Sequence, residues 1–477
     1  VAYFGCAEFY ADEGALESMK KVLMMAYHYP PDPAVGGVRT ARFARYLPQY
    51  GWTPIVVAHR GGKNGSGPAF GAQTSCEGKP EPGEPADGLQ LVYHVRALPG
   101  IRNVAQGVSR ALLRKGAGVD PRWLEHGAGY SPPSADAVSP LRRNLYAAMW
   151  LPDDRHGWFL PAVLAGLRIA AVQRPSVVYS SGPPWTCHLA GAVVSLLTRL
   201  PFVADFRDPW VGSAFKPDFV RTRWSDRSEE AMERWVVQRA KLVICNTKGL
   251  LKEMLGRYSD VGPDRFAVIT NGFDPEEVLA AKGWVSEAPI HRGSGPTVIA
   301  YAGTLYGSRD PRPLLEAAAC LRREGAPPFR IRFIGNCEMA VGVPLAELVG
   351  KLGLSDVVDV VGPLKREECL RQLVRADVLL LLAMGQPNQV PAKLYEYIGL
   401  GKPVLALAED DSETSETVRA AGAGAVVDWR DAQAVREALL CAVSGGLSGC
   451  SADAVRNYDG RLLTKRLAEA LSEVCAS

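Results

Sequence analysis

The chain has 477 residues, 47% hydrophobic and 22% charged, with a formal net charge of +3. That length exceeds one ordinary core and predicts two domains. The near-neutral balance gives no reason to invoke nucleic acid, and no apolar run reaches the roughly 18 residues of a membrane-spanning helix. None of the ten cysteines forms a Cys-x-x-Cys pair, and Cys187, Cys245 and Cys320 sit in apolar patterns. That usage fits reduced thiols in a cytoplasmic protein.

Residues 1–18 lack the basic start and long apolar core of a signal peptide. The folded part is expected to begin near Met19, with 1–18 as a disordered extension. Lys21–Ala26 reads as a strand, Tyr29–Gly37 as a loop, and Val38–Tyr50 as a helix bearing Arg39, Arg42 and Arg45. Thr53–Ala58 reads as the next strand, which completes a βαβ unit. Residues 60–90 are rich in Gly and Pro and read as a mobile surface insertion. Ile101–Lys115 reads as a basic amphipathic helix. It either packs its apolar side on the core or makes a peripheral membrane contact.

Alternation then resumes. Strands are predicted at Ser176–Ser180, Phe202–Asp205, Leu242–Cys245 and Phe266–Ile269, with helices at Thr186–Leu197 and Glu229–Ala240. A linker is expected over Gly283–Pro296. A second series of strands follows: Thr297–Ala302, Arg330–Ile334, Val357–Val361, Asp377–Leu382, Pro403–Leu407 and Ala425–Val427. The last helix, Gly460–Val474, has the option of packing back on the first domain. The expected fold is α/β: two Rossmann-like doubly wound parallel-sheet domains, 19–285 and 297–477, facing each other across a cleft. Ligands then lie at the carboxyl ends of the strands.

One segment concentrates the chemistry. Asn388–Leu407 (NQVPAKLYEYIGLGKPVLAL) reads as loop, helix start, short helix, glycine stop and strand. Lys393 and Glu396 fall on one helical face in its first turns, where free backbone N–H groups favour anions. A cation with N–H groups suits a diphosphate, and a nearby carboxylate suits a ribose diol. Gly36 and Gly37, on the first strand-to-helix loop, allow close approach of the backbone to a ligand. Gly303 and Thr304 end the first strand of the second domain and could hold a diphosphate from the other side. Arg309 and Arg312 in the following loop are further candidates. Arg207 and Asp208 follow a strand at the first domain's binding edge, where Asp208 could orient or deprotonate a hydroxyl. An Arg–Asp structural pair is the competing reading, and His28 is more readily structural than functional. Gly422 and Gly424 precede a strand, the wrong order for a dinucleotide fingerprint.

These segments carry a resemblance. YHYPPDPAVGGVRTARFARYLPQYGW, ADFRDPW, ITNGFD, IAYAGTLYGSRDPRPLLEA and VPAKLYEYIGLGKPVLAL stand in the order found in family 4 glycosyltransferases of the GT-B fold. From Met19 onward the chain resembles that family. The resemblance implies a retaining transferase that takes a nucleotide-diphosphate sugar and a glycan or lipid-linked acceptor, without an obligatory metal or other cofactor. It implies a setting in cell-surface polysaccharide or lipopolysaccharide synthesis, in the cytoplasm or at the inner face of the membrane. It casts Gly36, Gly37, Gly303, Thr304, Asn388, Lys393 and Glu396 as donor-binding residues, and Asp208 and Arg207 as catalytic. The resemblance implies two glutamates with seven residues between them, so Asn388 stands where the first would fall, an amide without negative charge. A sugar-nucleotide epimerase or phosphorylase on the same fold, or a non-catalytic sugar-binding member, are the alternatives.

Overall fold

The computed structural model describes residues 19–32, 34–60, 70–74, 90–98, 139–213, 216–286, 295–307 and 309–476. The extension 1–18, most of the insertion at 60–90 and the segment Ile101–Lys115 lie outside these residues.

The first half builds an eight-stranded sheet. Its strands are β1 (Lys20–Met25), β2 (Trp52–His59), β3 (Phe70–Thr74), β4 (Leu91–Val95), β5 (Val177–Gly182), β6 (Phe202–Phe206), β7 (Leu242–Cys245) and β8 (Phe266–Val268). The order is β3-β4-β2-β1-β5-β6-β7-β8, all parallel except β3, which runs antiparallel to β4 at the edge. That strand falls inside the stretch read as a mobile insertion, where glycine content hides its short alternation.

The second half builds a six-stranded parallel sheet. Its strands are β9 (Thr297–Ala302), β10 (Phe329–Ile334), β13 (Val358–Gly362), β14 (Val378–Leu382), β15 (Val404–Leu407) and β16 (Gly424–Val427), in the order β13-β10-β9-β14-β15-β16. Two two-residue strands, β11 (Met339–Ala340) and β12 (Val343–Pro344), form a separate ribbon. Strands covered on both faces are continuous apolar runs. Every residue of β14, VLLLL, is buried.

Proline and capping chemistry move some boundaries. The helix expected over Val38–Tyr50 is α-helical only over Val38–Tyr46, and Pro48 belongs to a 3-10 turn, Leu47–Tyr50. The helix expected from Glu229 starts at Arg223, because Thr222 and Ser225 form a reciprocal capping box.

The chain crosses between the sheets twice. The helix Pro275–Ser286 leads toward the second sheet. The last helix, Gly460–Ala476, lies on the first domain, where Leu463, Leu467 and Leu471 share a buried cluster with Met24, Phe43 and Tyr179. The crossings touch: Phe273 N–H donates to Tyr458 O at 3.1 Å, and Gly460 N–H to Phe273 O at 3.1 Å.

Candidate functional site

A cleft of about 1020 Å³ runs between the two sheets, lined by residues of both halves. Its first wall is set by a buried ion pair. Arg39 sits on the helix Val38–Tyr46 and Asp205 near the carboxyl end of β6, 3% and 0% exposed. The Arg39 guanidinium donates from Nε to Oδ2 and from Nη2 to Oδ1 of Asp205, both at 2.9 Å. Its remaining donors reach Ile269 O and Thr270 O at 2.7 Å and Asn271 Oδ1 at 3.2 Å. Tyr179 and Ser181 also donate to Asp205, at 2.6 and 3.1 Å. Burial opposes ionisation of Asp205, but the Arg39 charge and these hydrogen bonds outweigh it and hold the carboxyl below its ordinary range. One residue pair thus fixes the first helix, the end of β6 and the Thr270-Asn271-Gly272 turn.

Arg207 continues this scaffold. Its guanidinium donates to Gly36 O and Pro183 O, and its Nε to Gly182 O at 3.3 Å. It ties together the loops that follow β1 and β5. Gly36 sits close beneath these side chains: a Cβ would stand 3.2 Å from both Arg207 Nη1 and His28 Cδ2, so either would have to shift by a few tenths of an ångström. Gly37 is buried beneath, where a Cβ would meet His28 O at 3.0 Å. Gly36, His28 and Arg207 line the cleft, and Gly37 supports it from behind. His28 is held by Asp32, Nδ1 to Oδ2 at 2.7 Å.

Asp208 faces the cleft beside Arg207. Burial pushes its carboxyl up to about 6, against the pull of Arg207. Its hydrogen bond comes from the other domain: Gln389 Nε2 donates to Oδ1 at 2.9 Å. Gln389 is a cleft residue that sequence reasoning missed; its signal was adjacency to Asn388. Asn388 itself is exposed and lies outside the lining. It donates from Nδ2 to Glu253 Oε2 at 3.4 Å and accepts from Thr247 at its carbonyl.

The second wall is organised by the helix Ala392–Leu400. It follows Pro391 with no side-chain cap; the Leu394 N–H turns back to Pro391 O at 2.9 Å, the N–H groups of Ala392 and Lys393 precede it, and Gly401 in the left-handed region (φ +71°) ends the helix. The buried Tyr397 hydroxyl accepts from Ala302 N–H at 3.2 Å, which sets the end of β9 against this helix. Lys393 therefore meets Gly303. A Cβ on Gly303, at φ +140°, would lie 2.6 Å from Lys393 Nζ. The Lys393 ammonium is buried over the Tyr301 ring at 4.0 Å and has no hydrogen-bond partner among the described residues. Burial and then repulsion from Arg309 bring it down to about 7. Arg309 stacks on Tyr306 at 4.4 Å and lines the cleft. Arg312 instead pairs with Asp310 at 2.6 Å, away from the lining. Gly303, Lys393 and Thr304 all lie outside the lining, which takes Pro391, Ala392 and Glu396 from this helix start; the Thr304 carbonyl accepts from the Tyr301 hydroxyl at 3.0 Å.

Glu396 lines the cleft one turn further along the helix. It is held by Arg366, which sequence reasoning also missed, although Arg366 begins a helix after a strand-end glycine as other site residues do. No helix among the described residues is long and apolar enough to cross a membrane.

Residues 98–277 match the family described as Glycosyltransferase Family 4, and residues 286–448 the family described as Glycosyl transferases group 1. The chain is similar to the D-inositol 3-phosphate glycosyltransferase of Mycobacterium sp. (strain KMS), with 28% identity over 202 residues. That match spans 42% of this chain and 44% of the relative, less than half of either. Among solved structures, the crystal structure of Anabaena HepE in complex with UDP superposes with a TM-score of 0.55 at 15% identity, covering 95% of this chain and all of that one. A glycosyltransferase from Rickettsia africae ESF-5 gives 0.54 at 14% identity, covering 96% and 98%. At these identities the likeness is one of fold.

Proposed function

The chain belongs to the family 4 glycosyltransferases of the GT-B fold, and on that premise we propose that it moves a sugar from a nucleotide-diphosphate sugar to an acceptor hydroxyl, with retention. The observation that carries this reading is the meeting, just behind the second wall, of a buried ammonium without a hydrogen-bond partner among the described residues, a glycine with no room for a Cβ and a helix start without a side-chain cap, with Glu396 in the cleft one turn away. A diphosphate supplies the charge that Lys393 lacks, and a ribose diol supplies donors for the Glu396 carboxylate. The UDP held by the HepE neighbour supports a nucleotide-sugar donor.

In this reading negative charge grows on the leaving diphosphate, and Lys393, Arg309 and the helix-start N–H groups of Ala392 and Lys393 stabilise it. That arrangement needs no obligatory divalent metal or other cofactor. Asp208 receives the acceptor hydroxyl on the opposite wall, where Arg207 keeps the Gly36 and Pro183 loops in place. Closure of the cleft keeps water from the donor. The acceptor is a glycan or lipid-linked sugar of cell-surface polysaccharide assembly, met in the cytoplasm or at the inner membrane face.

The test is a thermal-shift panel of UDP, GDP, ADP and their sugars, followed by turnover with the preferred donor. A bound donor raises apparent stability by mass action. Turnover that survives EDTA and a product that keeps the donor's anomeric configuration by NMR support the proposal. An inverted product refutes retention, and conversion of the donor sugar without any acceptor points to an epimerase.

A further inference from the structure

Arg366 occupies an unusual place. It opens the helix Arg366–Arg375 and meets Glu396 with two parallel hydrogen bonds, Nη1 to Oε2 at 3.0 Å and Nη2 to Oε1 at 2.8 Å. Its other edge takes Glu277, with Nη2 and Nε donating to Oε2 at 2.8 and 3.3 Å. All three line the cleft. Burial opposes the charge on Arg366, but Glu396 and then Glu277 hold its pKa above the ordinary value.

Two carboxylates on one guanidinium leave the group net negative. Arg366 is therefore a poor phosphate ligand, and a different role follows from the geometry. A carboxylate offers about four lone-pair sites, and the fork of Arg366 takes one on each oxygen. One site per oxygen is left, at a fixed angle, to receive two neighbouring hydroxyls. Glu396 has three side-chain torsions of its own, and the planar fork removes that freedom as a lysine could not. Arg366 is 50% exposed on its side chain, so the pair is worth little as bulk stabilisation. Its value is orientation.

We propose that Arg366 is a positioning residue for ribose recognition, aiming the Glu396 carboxylate at the vicinal diol of the nucleotide, with Glu277 as the counter-anchor. This rests on the reading of Glu396 as the ribose partner.

The test titrates UDP, GDP and ADP into the full chain by calorimetry, each beside its 2′-deoxy and 3′-deoxy analogues. For the diphosphate that binds tightest, loss of a hydroxyl is expected to weaken wild-type binding about tenfold, the worth of a charge-assisted hydrogen bond. Arg366→Ala is expected to bring that ratio to within about twofold of unity without a change in melting temperature, and Arg366→Lys to recover only part of it. An unchanged ratio in Arg366→Ala, with weaker binding of all nucleotides alike, would overturn the proposal. Should Arg366→Ala fail to fold, Arg366→Gln is read by the same ratio. Glu396→Gln separates the two levels: if it keeps the wild-type ratio, the ribose reading of Glu396 itself falls. If it loses the ratio while the Arg366 variants keep it, only the role of Arg366 falls. Absence of binding by all three diphosphates to the wild type would overturn both.

Discussion

The depressed Lys393 makes nucleotide binding pH-dependent with a predictable sign. In the free protein the ammonium is buried, faces Arg309, and loses its proton at about 7. A diphosphate beside it removes the penalty and returns the group toward its ordinary value of roughly 10.4. Binding therefore takes up a proton, and affinity falls as pH climbs above about 7. Between about pH 7 and about pH 9 the dissociation constant should rise about fiftyfold, or roughly 2.3 kcal/mol. The terminal phosphate, with a pKa near roughly 6, is already ionised across this range and does not mask the effect. Calorimetry of the nucleotide diphosphate in two buffers of different ionisation enthalpy reads both affinity and proton uptake. Lys393→Met should lose the alkaline limb. The same substitution should stabilise the free protein, because the folded chain holds fewer protons than the unfolded one between about pH 7 and about pH 10. Affinity that stays flat to pH 9, or a limb that survives in Lys393→Met, would refute the assignment.

Removing the Asp205 carboxylate strands a guanidinium that is 3% exposed, so Asp205→Ala should cost about 3–5 kcal/mol in chemical denaturation. A loss below about 1 kcal/mol would show that the carbonyls around Arg39 suffice. Since the Asp205 pKa is lowered, its contribution is present above the unfolded value and vanishes in acid as pH falls through the folded one. If Asp208 acts on the acceptor as its carboxylate, the transfer rate should climb as pH rises through about 6, and Asp208→Asn should abolish both the rate and the limb.

The sheets were readable because strands covered on both sides announce themselves: Leu242–Cys245 and Thr297–Ala302 are strands over the residues expected. Helices fared unevenly. Phe159–Gln173 is apolar over much of its circumference and carries little helical periodicity to detect. The Lys393–Gly303 meeting was approachable from sequence, because each residue lies at a strand end or helix start. Pairings across the fold were not. Arg39 and Asp205 are separated by 166 positions, and the stripe of Arg39, Arg42 and Arg45 gave a face without a partner. Gln389 met Asp208 only once both domains stood opposite each other.

That opposition has two unequal sides. On one, the bonds between domains are polar: Gln389 to Asp208, and, around the start of the helix Lys248–Arg257, Thr247 to Asn388 O, Asn388 to Glu253, Gly249 N–H to Glu413 and the exposed Lys248–Glu416 pair at 3.1 Å. Each is worth little against water. On the other, the backbone of Phe273 is bonded to Tyr458 and Gly460, Tyr46 donates to Asp274 at 2.8 Å, and the last helix buries its leucines on the first domain. Separating that side would expose apolar surface at about 25 cal/mol per Å². Opening is therefore expected to turn about the chain crossings and to part the Gln389 side first. Asp208 would then be wetted and its carboxyl would return toward the ordinary range, because burial is the cause of its raised value. On that expectation the basicity that suits Asp208 to an acceptor hydroxyl comes from burial in the closed cleft and not from the Gln389 N–H, which donates to the carboxylate and favours its ionised form.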